Sequence, residues 1–110
     1  HNPQKMRAFV SSIKDLYPDQ TFDIVLAMRA AKDYESVIRE LKPIVKQIIC
    51  SELSASEFRS VPVIDLAKAC ADERISYEVE HNIHKAIEMC EDPCMVTGSL
   101  YIGKLFVDSN

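Results

Sequence analysis

The sequence predicts an α/β fold, a small doubly wound, mainly parallel sheet with helices on both faces. Three observations predict it. Apolar runs of strand length occur without polar/apolar alternation, which marks strands buried on both faces. Other segments repeat their apolar residues every three or four positions, the stripe of a helix packed on one side. The two kinds of segment alternate, and strands separated by helices of roughly 10 to 15 residues imply right-handed crossovers and parallel pairing.

The elements follow in order. From Pro3 to Tyr17, Met6, Phe9, Val10, Ile13 and Leu16 share one helical stripe; Asn2 can cap this helix, Pro3 suits its first turn and Pro18 ends it. Thr21–Met28 is a nearly continuous apolar strand, and Asp33 is a natural cap for a second helix carrying Val37, Ile38 and Leu41, with Pro43 as its stop. A second strand is expected at Val45–Ser51, then a polar loop over Glu52–Ser60 and a helix near Pro62–Ala71 with Val63, Leu66, Ala67 and Cys70 aligned. Ser76–Glu80 reads as a short strand, Asn82 opens a helix with Ile83, Ala86, Ile87 and Cys90, and Asp92-Pro93 turns the chain into a last strand, Cys94–Thr97, followed by a final helix.

Composition narrows the function. A chain of 110 residues that is 47% hydrophobic fits one domain with one core, and no Gly/Ser/Pro-rich linker or internal repeat divides it. A net charge of -4 and a pI near 5.3 repel a phosphate backbone, so nucleic acid is not expected as a partner. No apolar stretch approaches the roughly 20 residues of a membrane span, and the start lacks a secretory signal, which points to a cytoplasmic protein without a membrane partner. Cys50, Cys70, Cys90 and Cys94 form no Cys-x-x-Cys pair. All four are expected as ordinary thiols, Cys50 and Cys70 in the core, with no zinc site.

In open parallel sheets, ligands gather outside the carboxyl ends of the strands, where helix N-termini present N–H groups. The junctions at that edge are His1-Asn2-Pro3, Arg29–Asp33, Glu52–Ser60, His81-Asn82 and Thr97-Gly98-Ser99. With only Gly98 and Gly103, the chain builds neither a Gly-x-x-x-x-Gly-Lys-Ser/Thr loop nor a Gly-x-Gly-x-x-Gly turn, which argues against independent nucleotide hydrolysis or dinucleotide binding. The histidines at 1, 81 and 84 fit no triad or metal spacing, and no metal ligand is assigned.

Residue-level resemblance goes further. His1-Asn2-Pro3 leading into a helix resembles the end of the Asp-Gly-Ala-His-Asn-Pro loop that opens the carboxyl-terminal domain of folylpolyglutamate/dihydrofolate synthases. Lys32-Asp33 is similar to that family's Lys-Asp pair after the next strand, and Arg59 to an arginine of the following strand-to-helix loop. Val96-Thr97-Gly98-Ser99-Leu100-Tyr101 is very similar to its closing Val-Thr-Gly-Ser-Leu-Tyr segment and is the most specific signal. The order holds over essentially the whole chain. Ala27 and Ala31 stand where the family has glycine and aspartate ahead of Lys-Asp, and after Tyr101 the chain is one residue shorter than the usual pattern.

The resemblance implies a Rossmann-like lobe of the Mur ligase superfamily, one part of a two-domain enzyme in the cytoplasm. Such enzymes use MgATP to phosphorylate a carboxylate of dihydropteroate or a folate; L-glutamate then displaces phosphate to form an amide. The phosphate loop and magnesium ligands belong to the amino-terminal ATPase domain, so ATP and Mg2+ are expected to be held mainly there. The lobe closes over the nucleotide and helps bind glutamate. By this resemblance His1 and Asn2 approach ATP, while Lys32, Asp33, Arg59, Ser99 and Tyr101 serve the substrate; no catalytic residue is assigned. The isolated lobe is expected to be inactive.

Plainer readings stand beside these. His1 can be a frayed terminus or tag remnant, Asp33 a helix cap beside a solvated lysine, Arg59 a solvated loop arginine, and Ser99-Leu100-Tyr101 the start of a capped helix. Two other functions are a Mur-type lobe that attaches a different amino acid and a non-enzymatic doubly wound binding module. A receiver-like module would need acidic residues at strand ends, where this chain has Ala-Met-Arg and Cys-Ser.

Overall fold

A computed structural model describes residues 3–30, 33–53, 59–91, 93–98 and 101–106. The chain runs α1 (Pro3–Leu16), β1 (Phe22–Ala27), α2 (Tyr34–Leu41), a 3₁₀ turn (Lys42–Ile44), β2 (Val45–Glu52), α3 (Val63–Asp72), β3 (Tyr77–Asn82), α4 (Ile83–Met89), β4 (Cys94–Gly98) and β5 (Tyr101–Phe106).

The helices form for local reasons that the sequence carries. In α1, Met6, Val10 and Ile13 are the buried stripe, and the Tyr17 N–H donates to the Ile13 carbonyl at 2.8 Å before Pro18 prevents continuation. The Asp33 side chain accepts the Ser36 N–H at 3.2 Å and caps α2. Pro43 does not stop the chain's winding outright; its fixed φ suits the first turn of the 3₁₀ segment that leads into β2. At the end of α3, Arg74 takes the left-handed conformation (φ 59°), and the Ile75 N–H reaches back to the Cys70 carbonyl at 2.9 Å.

The sheet order is β3-β2-β1-β4-β5, with β1 to β4 parallel and β5 antiparallel to β4. Every residue of β1 is buried, Asp23 included, as its nearly continuous apolar run requires. Alternate residues point to two cores. Phe22, Ile24, Leu26, Ile48, Cys50 and Met95 face α1, α2 and α3, whereas Val25, Ile49 and Val96 face Ala86 of α4. The helices therefore lie on both faces, but unequally: three cover one side and α4 alone the other.

Three expectations are corrected. Residues 101–106 form an antiparallel edge strand rather than a final helix, in keeping with the β preference of Tyr, Ile and Phe and the poor helix propensity of Gly103. The third strand runs to Asn82 instead of ending at Glu80, because β2 itself extends to Glu52 and pairs with Asn82. Cys90 and Cys94 are not free thiols but a disulfide: the turn after α4 brings their Cα atoms to 5.6 Å, within bridging range. Cys50 and Cys70 remain buried and free, as expected of core thiols.

Candidate functional site

The strand order fixes where a ligand crevice can open. From β1 the chain steps outward through β2 to β3, then crosses back to place β4 on the other side of β1. The order reverses between β1 and β4, and in open α/β sheets the crevice lies outside the carboxyl ends of such strands. There Ala27 pairs with Gly98, and Gly98 pairs on its other side with Tyr101. Gly98 thus lies between two strands rather than at the open strand end the sequence suggested, because β5 folds back on β4.

Main-chain bonds tie the next loop to this rim. Arg29 and Ser60 form an isolated antiparallel bridge, the Ala30 N–H donates to the Arg59 carbonyl at 2.8 Å, and the Val61 N–H donates to the Met28 carbonyl at 2.8 Å. The segment after β1 and the segment entering α3 are therefore held side by side. Arg59 is exposed there, with its carbonyl bonded to Ala30.

Asp33 is exposed, and its carboxyl is held below the ordinary value first by its side-chain hydrogen bond with Ser36 and then by the Ser36 backbone N–H. It is thus an anion at neutral pH and a helix cap. Tyr101 stands at the rim through its backbone pairing with Gly98. His1, Asn2, Lys32 and Ser99 lie outside the described residues.

One contributor was missed in the sequence. Glu52, read there as the first residue of a polar loop, ends β2, and its carboxylate accepts the Val63 N–H at 3.3 Å, so it caps α3 from the preceding strand. Pro62 itself offers no side-chain cap. The readable signal was an acidic residue at a strand end ahead of a helix with no Ser, Thr, Asp or Asn at its start. His81 Nδ1 lies 3.6 Å from the same carboxylate, so a protonated His81 forms an ion pair at the rim.

A groove of about 240 Å³ opens between the first turn of α2 and the length of α3, lined by Tyr34, Glu35, Asp65, Lys68, Ala69 and Asp72. Burial, then the charges of Asp65 and Glu35, push the Tyr34 hydroxyl above its ordinary pKa. Three carboxylates against one lysine give this groove a field that repels a polyanion. Among the described residues, no group of three His, Cys, Asp or Glu side chains could hold a metal ion, and no helix is long and apolar enough to cross a membrane.

No protein-family model matches the chain, and no curated protein matches it by sequence. Solved structures do. A folylpolyglutamate synthase from Thermotoga maritima superposes with a TM-score of 0.76 at 25% identity, covering 93% of this chain and 24% of that one. The chain matches the carboxyl-terminal domain of folylpolyglutamate synthases. The Mycobacterium tuberculosis folylpolyglutamate synthase, solved in complex with ADP, gives a TM-score of 0.71 at 23% identity over 81% of this chain and 20% of its own. The bifunctional folylpolyglutamate synthase/dihydrofolate synthase of Yersinia pestis shares the fold at 16% identity, with a TM-score of 0.67 over 89% of this chain and 23% of its own. The chain therefore spans about a quarter of the length of these folylpolyglutamate synthases.

Proposed function

We propose that the chain is the carboxyl-terminal lobe of an ATP-dependent ligase that joins L-glutamate to dihydropteroate or a folate through an acyl phosphate. The observation that carries this reading is the position of Gly98, within the segment whose resemblance is the most specific in the sequence: it lies beside Ala27 where the strand order reverses. The match to the Thermotoga maritima folylpolyglutamate synthase supports it over nearly the whole chain.

In this reading the lobe closes over a nucleotide held by the amino-terminal ATPase domain of the same enzyme. The donors present do not fit a magnesium or triphosphate site of the lobe's own: two glycines make no phosphate-cradling loop, and no acidic cluster of metal-ligand type exists among the described residues. In this reading ATP and Mg2+ are held mainly by the amino-terminal domain. His1 and Asn2, just ahead of α1, approach the nucleotide from a helix N-terminus, which suits a polyanion. Ser99 and Tyr101 meet the incoming glutamate, Arg59 neutralises a substrate carboxylate or the acyl phosphate, and Lys32 also serves the substrate. Asp33 orders the start of α2 beside them. The reaction takes place in the cytoplasm.

Two measurements test this. The isolated chain should show no ATP-dependent ligation of glutamate, and turnover above background would refute the division of labour. In the full-length enzyme, Ser99→Ala and Arg59→Ala should each lower kcat/KM for ligation by roughly tenfold or more through lost positioning, with the lobe still folded. Unchanged kinetics in both would remove the crevice from the reaction.

A further inference from the structure

The Cys90–Cys94 bridge lies at the amino end of β4, opposite the crevice, and plays no part in the proposed ligation. We propose that Cys90 and Cys94 form a reversible dithiol/disulfide site whose oxidation state fixes or frees helix α4.

Helix α4 has seven residues, too few to hold together in isolation, and only Ala86 is fully buried, with Ile83 and Ile87 partly so. Beyond the packing of Ala86, Ile83 and Ile87 on Val25, Ile49 and Val96, the helix depends on its ends. Asn82 caps one end; the disulfide, four residues apart in sequence, ties the other to the first residue of β4.

The surroundings accommodate both redox forms. Asp23 in β1 organises the loop between the cysteines independently of the bridge: its N–H donates to the Pro93 carbonyl at 3.1 Å and its Oδ2 accepts the Glu91 N–H at 3.0 Å. Gln47 Nε2 donates to the same oxygen at 3.1 Å. Cys90 Sγ lies 3.4 Å from the Asp23 carbonyl oxygen, so a thiol released there finds its acceptor in place. Asp23 is 2% exposed, and its Oδ1 has no hydrogen-bond partner among the described residues. Asp23 and Cys94 are register partners on neighbouring strands.

The exchange is balanced with a dithiol reductant. Cys90 is partly exposed and Cys94 is 4% exposed, so the reductant's thiolate attacks Cys90 Sγ. The Sγ–Sγ bond breaks, and Cys94 leaves as a thiolate that takes a proton from solvent. The reductant's second thiol then closes its own disulfide and releases Cys90, which is protonated in turn. Two electrons and two protons pass to the pair. Cys50 and Cys70 are an internal contrast: both are fully buried with their sulfurs 3.9 Å apart, and their mutual hydrogen bond and burial keep the Cys50 thiol neutral.

The test follows the chain through air oxidation, dithiothreitol reduction and re-oxidation, reading alkylation of Cys90 and Cys94 by peptide mass mapping and amide exchange across residues 83–91. On reduction both sulfurs should become alkylatable in the native chain while Cys50 and Cys70 stay silent. Exchange across 83–91 should accelerate roughly 30-fold, the factor that loop-closure entropy gives for so short a cross-link, with β1 and β2 unchanged. Re-oxidation should restore protection, and a Cys90→Ser/Cys94→Ser variant should exchange fast in either buffer. The proposal is overturned if the bridge fails to form under oxidation, if it resists dithiothreitol until the chain is denatured, or if reduction leaves exchange across 83–91 unchanged. These wild-type readings decide the matter even if the double variant does not fold.

Discussion

Replacing Asn82 by alanine tests how the thin side of the sheet is held. Its Oδ1 accepts the N–H groups of His84 at 2.9 Å and Lys85 at 3.2 Å, two of the donors that the first turn of α4 cannot satisfy internally. Alanine removes the acceptor, and such a cap is worth about 1 kcal/mol. Both donors are near water, so the cost should not rise to that of a buried unsatisfied group. For a chain of 110 residues, ~1 kcal/mol corresponds to a fall in Tm of about 4–5 °C. With a urea slope near 2 kcal/mol/M, the same loss moves the midpoint by roughly 0.5 M. Urea titration followed by circular dichroism measures the shift, and the slope should stay constant because the surface exposed on unfolding is unchanged. Asn82→Asp supplies an equivalent acceptor and should retain most of the stability. A midpoint unmoved by alanine, or an aspartate as damaging as alanine, would refute the capping account.

Other perturbations probe different parts of the fold. Leu26 is fully buried in β1 among residues of all three helices on its side, so Leu26→Ala should cost ~2–5 kcal/mol by urea titration, and a loss under 1 kcal/mol would mean the core there is loosely packed. Arg74 pays for a left-handed backbone that glycine adopts freely, so Arg74→Gly should raise stability by about 0.5–1 kcal/mol, with any decrease contradicting the assigned conformation. Asp23→Leu removes the acceptor for Gln47 and the Glu91 N–H at a buried position; it should cost roughly 1–3 kcal/mol and slow the re-formation of the Cys90–Cys94 bridge. The hydrogen bond from Arg7 holds the Glu40 carboxyl below its ordinary pKa. A carboxylate depressed by folding contributes stability above its unfolded pKa and loses it as pH falls through the folded one. Wild-type stability should therefore decline more steeply than that of Glu40→Gln between about pH 5 and pH 3, and parallel profiles would show that the pair contributes nothing.

Much of this architecture was legible in the residues because periodicity and punctuation agreed. The nearly continuous apolar run from Phe22 to Ala27, interrupted by Asp23, reads as a strand buried on both faces, and Asp33 and Asn82 mark the helix starts that they cap. What escaped depended on partners distant in the chain. Glu52 looks like a loop residue until α3 packs against β2 and its lone N–H at Val63 finds the carboxylate. The Cys90–Cys94 bridge follows from the return of the chain after α4, which spacing alone does not distinguish from two separate thiols. Strand β5 was hidden because Ser99-Leu100-Tyr101 also reads as a helix start, and only pairing with β4 decides between the two. At the crevice, the residues Asp33 and Arg59 could be named from their motifs. What no local pattern announces is the Ala30–Arg59 hydrogen bond, which holds the segment after β1 beside the one entering α3.

The connection between β2 and α3 has a tied neck. The Leu53 N–H donates to Ser60 Oγ at 2.7 Å, and one step further in Glu52 reaches the Val63 N–H, so both ends of the excursion are fastened to each other and to the fold. Chain added within 54–58 would hang from an anchor it does not have to supply, and doubling its length would cost only about 0.6 kcal/mol. That makes this connection the natural place for a peptide insertion or an affinity tag at the crevice's edge, with the sheet and its neighbouring helices left undisturbed.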